Sequence, residues 1–114
     1  MVDATELPVS VSRPMAFENG TAIGTYFLWR NGQYCKILTA AGIVGCGIFD
    51  VKVAAEFGEA IAIAKGTPEV PLVEPEDLLE AIISGITPQA EEFGVKIGMT
   101  GREAVEVLLA VPDD

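Results

Sequence analysis

Cys46 and Asp50 are the residues whose types and spacing could most directly do chemistry, and both lie in the stretch GIVGCGIFD at residues 42–50. A thiol reacts as its thiolate, which requires a nearby cation, a helix N-terminus or a base. The helix expected to begin near Asp50 lies roughly 13 Å from Cys46 along an extended strand, too far for its dipole to act. Burial beside Val44 and Ile48 therefore predicts a neutral cysteine that serves packing.

A second cysteine, Cys35, could lie beside Cys46 in the folded chain. If Thr39 pairs with Gly42 across a two-residue turn, the antiparallel register places Cys35 opposite Cys46 on the adjacent strand. Neighbouring thiols can form a disulfide or bind a soft metal together. In a reducing compartment two reduced core cysteines are the simpler expectation, and a thiol redox function stays open as an alternative.

Two further features place polar groups at helix N-termini. Asp50 occupies the position of an N-cap, a role that aspartate fills well. Thr100, Gly101 and Arg102 combine backbone amides with a guanidinium, which are the parts of a small anion site, although the acid that follows them competes for the same helix end. If Cys46, Asp50 and Arg102 converge, they could act as nucleophile, base and anion clamp of a small enzyme.

The composition excludes several classes of function. The chain has no histidine, which removes Ser-His and Cys-His dyads, histidine bases and His-containing zinc sites. Its two cysteines are too few for a disulfide scaffold or for a four-thiolate site within one chain. Its 7 basic and 17 acidic residues give a net charge of −10, which repels a phosphate backbone. We therefore expect no cofactor, no metal site and no nucleic-acid partner.

Length and hydropathy indicate a domain that associates with itself. At 114 residues the chain predicts one domain, residues 1–114, with a real hydrophobic core. Apolar residues make up 50% of the chain and the mean hydropathy is +0.41, high for a small monomer, so we expect a homo-oligomer. Charged residues interrupt the richest apolar region, and no membrane span is predicted. The first residues lack a secretory signal, and we expect a cytoplasmic protein.

The clearest local signal is a β-hairpin. Residues 21–30 and 33–39 are rich in aromatic and β-branched side chains and flank Asn31-Gly32. This dipeptide tolerates positive φ and favours a two-residue type I′ turn. The turn would pair Trp29 with Tyr34, so that aromatic side chains face each other across the strands.

Periodicity and capping residues predict the other elements. Apolar alternation or continuous apolar runs predict strands at residues 6–13, 43–49 and 59–65, the first at a sheet edge. Caps, prolines and glycines predict helices at residues 51–57, 75–83 and 88–93, and after the Thr100/Glu103 capping box. Strands first and helices later indicate an α+β, two-layer domain: a mixed, largely antiparallel sheet with an N-terminal meander, packed with two or three helices.

Two motifs make the second half of the chain similar to a known family. The first is Cys46-Gly47-x-x-Asp50, and the second and more specific is FGVKIGMTGREAVEVLL, residues 93–109. Over residues 40–109 the chain resembles the YunC-like family of small bacterial and archaeal proteins, a domain of unknown function. The resemblance implies a single α+β domain with a mixed sheet, and supplies no activity, cofactor or catalytic residue. Cys35 has no counterpart in the family pattern.

These features favour a non-catalytic binding or interaction module that forms a homo-oligomer, with room for a small anionic ligand. The alternatives are a small enzyme built on Cys46, Asp50 and Arg102, and thiol redox chemistry through Cys35 and Cys46. The enzyme requires its three side chains in one place, whereas redox chemistry requires the two sulfur atoms in contact.

Overall fold

The chain folds into one six-stranded sheet packed with short helices, and the computed structural model describes residues 7–67 and 69–112. The strands are β1 (Val9–Phe17), β2 (Gly20–Trp29), β3 (Gly32–Leu38), β4 (Ile43–Cys46), β5 (Ile61–Ala64) and β6 (Ile83–Ile86). The helices are α1 (Val51–Glu56), α2 (Pro75–Leu78), α3 (Pro88–Phe93) and α4 (Gly101–Leu109). The strands lie in chain order, and every neighbouring pair is antiparallel except β4 and β5. The predicted α+β class with a mixed, largely antiparallel sheet is confirmed.

β1 is the edge strand that the alternation predicted, although it runs further. It continues to Phe17 and pairs with β2 from Val9 onwards. The predicted start at residue 6 lies outside the described residues. Ser12 and Thr25 face each other across this pair, and their hydroxyls hydrogen-bond at 3.2 Å.

The first hairpin forms where predicted but in a different register. Trp29 pairs with Gly32, so the two-residue turn is Arg30-Asn31. The expected pairing of Trp29 with Tyr34 is wrong: Tyr34 pairs with Phe27, a shift of two residues that keeps side chains on their faces. A Cβ at Gly32 would overlap the Trp29 ring. Glycine is therefore needed beneath the indole, and its φ is not positive.

The turn from β3 to β4 forms in the predicted register. The Thr39 amide donates to the Gly42 carbonyl at 2.8 Å, and the Gly42 amide donates to Thr39 Oγ1 at 2.9 Å. Ile37 consequently pairs with Val44. This local hydrogen-bonded turn sets the alignment of all residues that follow on β4.

β4 ends at Cys46 and not at residue 49 as predicted. The Phe49 amide donates back to the Cys46 carbonyl at 3.4 Å, so a tight turn replaces the extended path to the helix. Asp50 caps α1 as predicted, because its Oδ1 accepts from the amides of Lys52 and Val53 at 2.9 and 3.3 Å. α1 is the crossover that leads to the parallel strand β5.

The predicted helix over residues 75–83 is wrong in its second half. α2 ends at Leu78, and Ile83–Ile86 forms β6 at the far edge of the sheet. The Ile83 amide donates to the Met99 carbonyl at 2.8 Å. Pairing with distant residues outweighs the helical spacing of the apolar side chains here. The described part of the chain therefore holds four helices, where two or three were expected.

α3 and α4 begin at the predicted caps. Thr87 Oγ1 accepts from the Ala90 amide at 3.3 Å, and Gly94 ends α3 with a φ of 110°. Thr100 Oγ1 accepts from the Glu103 amide at 3.2 Å, and Glu103 Oε1 accepts from the Thr100 amide at 3.0 Å. The predicted capping box is confirmed, and local hydrogen bonds fix the first turn of both helices.

Thr87 also joins α3 to the sheet, and its replacement should be costly. Its Oγ1 accepts from the Ile61 amide at 3.1 Å, and the residue is 1% exposed. Thr87→Val keeps the shape but leaves two buried amides without this acceptor, so we expect a loss of about 2 kcal/mol in the free energy of unfolding. Urea denaturation measures this loss. Thr87→Ser keeps the oxygen and should lose much less, and equal losses in both variants would contradict the assignment.

Helices α2, α3 and α4 pack against one face of the sheet and form the core there. Leu78 of α2 and Leu108 of α4 belong to one buried cluster with Ile37 and Val44 of the central strands. This layer hides the apolar side of the meander from water, which is the main source of stability in such a fold. Within residues 7–67 and 69–112, no helix combines the length and apolarity that a bilayer crossing requires.

Candidate functional site

The side chains of Cys35 and Cys46 meet on the core face of the sheet. The register that pairs Ile37 with Val44, continued by one step on the same face, places Cys35 opposite Cys46, as the sequence predicted. The two side chains lie close enough for hydrogen bonding between them to shift the pKa of both thiols. Cys35 is fully buried, Cys46 is 8% exposed, and neither is in a disulfide. The two sulfur atoms therefore form one site with a single partly exposed member.

The two thiols of this pair differ strongly in acidity. The hydrogen bond with Cys35 lowers the pKa of Cys46 from 9.0 to about 6, and the backbone amide of Ile48 adds to it against the opposing effect of burial. The same hydrogen bond and burial raise the pKa of Cys35, and the nearby carboxylates of Asp77 and Glu76 raise it further. The surroundings of the pair therefore favour Cys46 as the thiolate and Cys35 as the protonated thiol.

The predicted burial of Cys46 is confirmed, whereas its lowered pKa opposes the expectation of a neutral thiol. That expectation assumed an extended strand with the Ile48 side chain packed beside the sulfur. Because the chain turns after Cys46, Ile48 is 59% exposed and contributes its backbone amide instead. The glycines on both sides of Cys46 are the one sequence signal that could have indicated such a turn.

Arg102 does not lie at this site. Its guanidinium is 5.9 Å from the centroid of the Phe17 ring, at the other end of the sheet. Phe17 lies six residues beyond Val11, which shares a cross-strand row with Cys35. This separation is about 20 Å along the strand direction. The structure brings Cys35 to Cys46 but does not bring Arg102 to either of them.

The other predicted site residues serve local structure. Asp50 holds the first turn of α1, and the amides at the start of α4 that could bind an anion all donate within the protein. These bonds run from Gly101 to the Ala81 carbonyl (2.8 Å), from Arg102 to the Leu79 carbonyl (3.0 Å) and from Glu103 to Thr100 Oγ1 (3.2 Å). The amides of this helix end are therefore engaged before any ligand arrives.

Arg102 instead lines a groove of about 760 Å³ between the end of β1 and α4. Three carboxylates share the groove with this single guanidinium, those of Glu18, Glu103 and Glu106. The Glu106 carboxylate accepts from the Glu18 amide at 2.9 Å and so ties the turn between β1 and β2 to α4. This balance of charge opposes an anionic ligand. Across the described residues, no group of three or more metal-ligating side chains could hold a metal ion.

The second candidate site is the face of the sheet opposite the core. Residues that pair across strands share a face, and Ile23, Leu38 and Ile43 form such a row across β2, β3 and β4. Ile23 is 39% exposed and Leu38 is 41% exposed, which is unusual for aliphatic side chains in the middle of a sheet. This row and the aromatic side chains beside it are named the open face. The aromatic residues are Phe27, Trp29, Tyr34 and Phe49.

Aromatic side chains continue the open face toward the first hairpin turn. Phe27 and Tyr34 stack with their ring centroids 4.7 Å apart. Trp29 and Phe49 meet Tyr34 edge-on at 6.1 and 5.9 Å. Sequence reasoning recognised the aromatic hairpin but not the row of isoleucine and leucine, because that row depends on the registers of three strands together.

Comparisons with known proteins find a matching family model, a similar sequence and a solved structure of similar fold. The family model "Domain of unknown function (DUF1805)" matches residues 45–108. The uncharacterized protein YunC of Bacillus subtilis (strain 168) is 36% identical over 73 residues, which are 64% of this chain and 71% of that protein. The crystal structure of TA1206, a protein of unknown function from Thermoplasma acidophilum, has a TM-score of 0.77 at 14% identity, covering 93% of this chain and 99% of that one. The family match includes Cys46 and begins after Cys35.

Proposed function

The chain belongs to the family of the domain of unknown function DUF1805, and for this member we propose a non-catalytic, cytoplasmic interaction module that assembles with copies of itself through the open face. The observation that carries the proposal is the exposure of Ile23 and Leu38 within one apolar row. Helices cover the opposite face of these strands. A second copy would supply the layer that the open face lacks, and its burial is worth about 25 cal/mol per Å² of apolar surface.

The distribution of charge supports a second copy as the partner. A net charge of −10 drives identical chains apart unless the surfaces that meet are free of acids. On the open side of β1 to β4, the paired positions hold no Asp or Glu, and Lys36 is the one charged residue among them. Depletion of acids at the centre of an apolar surface is typical of protein interfaces.

Size-exclusion chromatography with light scattering at micromolar concentration tests this proposal. We expect a dimer or larger assembly for the wild type. Ile23→Lys should shift the protein to monomer, because it brings charged groups into the apolar contact. Ile97→Lys is the matched control, since Ile97 is 64% exposed and lies outside the open face. A monomeric wild type, or the same response to both substitutions, would sink the proposal.

A small enzyme built on Cys46, Asp50 and Arg102 has weaker support. The registers of the strands put Arg102 about 20 Å from the thiols along the sheet. The Asp50 carboxylate accepts from amides of α1 and is held as a cap. A small anionic ligand at Thr100, Gly101 and Arg102 would have to displace the Glu103 carboxylate from the same helix end.

A further inference from the structure

We propose that Cys46 and Cys35 form a peroxide-reactive dithiol, in which Cys46 attacks a small hydroperoxide and Cys35 resolves the product as an intrachain disulfide. This chemistry uses the core face of the sheet and is independent of assembly through the open face. The substrate class follows from access: Cys46 is 8% exposed, enough for a molecule of the size of hydrogen peroxide but too little for a disulfide on another protein.

The positions of the two residues allow a disulfide without rearrangement of the backbone. Residues that face each other on antiparallel strands have Cα atoms about 4.5–5.5 Å apart. Disulfides accept Cα separations of about 4.4–6.8 Å. The register of the two strands therefore permits a bond between the sulfur atoms through rotation of the side chains alone.

The surroundings of the pair assign a different role to each sulfur atom. Cys46 is the partly exposed member, and the amide of Ile48 stabilises its negative charge. Cys35 is fully buried, and the carboxylates of Glu76 and Asp77 on α2 oppose its ionisation. The lowered pKa of Cys46 and the raised pKa of Cys35 agree with an attacking thiolate beside a protonated resolving thiol.

The turn that follows Cys46 lies at the surface of the protein. Gly47 follows Cys46 directly and is exposed. In this proposal a peroxide enters from the exposed turn that follows Cys46, since helices cover the rest of the core face.

The reaction balances in two steps. The Cys46 thiolate attacks one peroxide oxygen, an S–O bond forms, the O–O bond breaks, and the alkoxide or hydroxide that leaves takes a proton from solvent. The Cys35 sulfur then attacks the resulting sulfenic acid, an S–S bond forms, the S–O bond breaks, and hydroxide leaves with the Cys35 proton as water. Two thiols are oxidised by two electrons, the hydroperoxide is reduced to an alcohol or to water, and a small dithiol restores the thiols.

Intact mass spectrometry of the full chain after treatment with stoichiometric hydrogen peroxide tests the proposal. The wild type should lose the mass of two hydrogen atoms, keep its single-chain mass on a non-reducing gel, and recover both thiols with dithiothreitol. Cys35→Ser should instead gain one oxygen at Cys46, which dimedone traps as a sulfenic acid. Cys46→Ser should consume peroxide at least about tenfold more slowly than the wild type.

Three results would overturn the proposal. The first is a wild type in which both thiols remain available to alkylation after peroxide treatment and unfolding. The second is a disulfide between chains, and the third is oxidation of Cys46 beyond the sulfenic acid while Cys35 stays reduced. The wild-type measurement needs no variant, and circular dichroism confirms that Cys35→Ser and Cys46→Ser are folded before they are compared.

Discussion

Replacing Gly101 by alanine is expected to lower the free energy of unfolding by about 3 kcal/mol. A Cβ at this position would overlap the Leu78 carbonyl, a backbone group that cannot swing aside as a side chain can. The Gly101 amide donates to the Ala81 carbonyl, and the Arg102 amide donates to the Leu79 carbonyl. To make room for a methyl group, α4 must withdraw from that segment and weaken both hydrogen bonds.

Urea denaturation of Gly101→Ala beside Gly47→Ala measures this effect. Gly47 is the matched control, because a Cβ there meets nothing closer than 3.8 Å and its φ is not positive. Gly47→Ala should change stability by less than about 1 kcal/mol. If the two variants lose the same free energy, the cost comes from loss of glycine in general and not from the close approach of α4.

The elements set by short-range chemistry could be predicted from the sequence. Asp50, the Thr100/Glu103 pair and the turn between Thr39 and Gly42 each act within four residues of the chain. Their geometry depends on local donors and acceptors, which the sequence displays directly. The alignment of Cys35 with Cys46 followed from the last of these turns.

Secondary structure and strand register that depend on residues distant in the sequence could not be predicted in the same way. The apolar spacing up to Ile83 suits a helix, but Ile83 begins a strand that pairs with β5, and its amide donates to the Met99 carbonyl. The first hairpin has an Asn-Gly dipeptide, yet the Trp29 ring over Gly32 accompanies a register two residues away. In both cases tertiary packing overrides a local preference.

In the candidate site, too, the local feature could be predicted from the sequence and the feature that depends on distant residues could not. The contact of Cys35 with Cys46 was predictable from register, whereas the acidity of Cys46 was not. Its low pKa depends on the turn that delivers the Ile48 amide, and the contrast with Cys35 depends on Glu76 and Asp77 from a helix far along the chain. Electrostatic properties therefore require the assembled surroundings even when the reacting residues are already known.

Removing the Cys35 thiol is expected to abolish most of the unusual acidity of Cys46. The hydrogen bond with Cys35 is the largest cause of that low pKa, so Cys35→Ala should return the pKa of Cys46 toward 9.0. With a pKa of about 6, Cys46 is expected to be mostly thiolate at pH 7, whereas a thiol of ordinary pKa is only a few per cent ionised. Alkylation of Cys46 by iodoacetamide at pH 7 should slow by about tenfold.

The pH profile of alkylation separates this electrostatic effect from a change in access to the sulfur. Because the thiolate is the reactive form, the rate rises as pH rises through the pKa, with a midpoint of about 6 expected in the wild type. The midpoint should move up by about two units in Cys35→Ala, whereas Cys35→Ser keeps a donor and should stay nearer the wild type. A midpoint that stays near 6 in Cys35→Ala would mean that the backbone amides alone hold the thiolate, and a wild-type midpoint near 9 would contradict the thiolate itself.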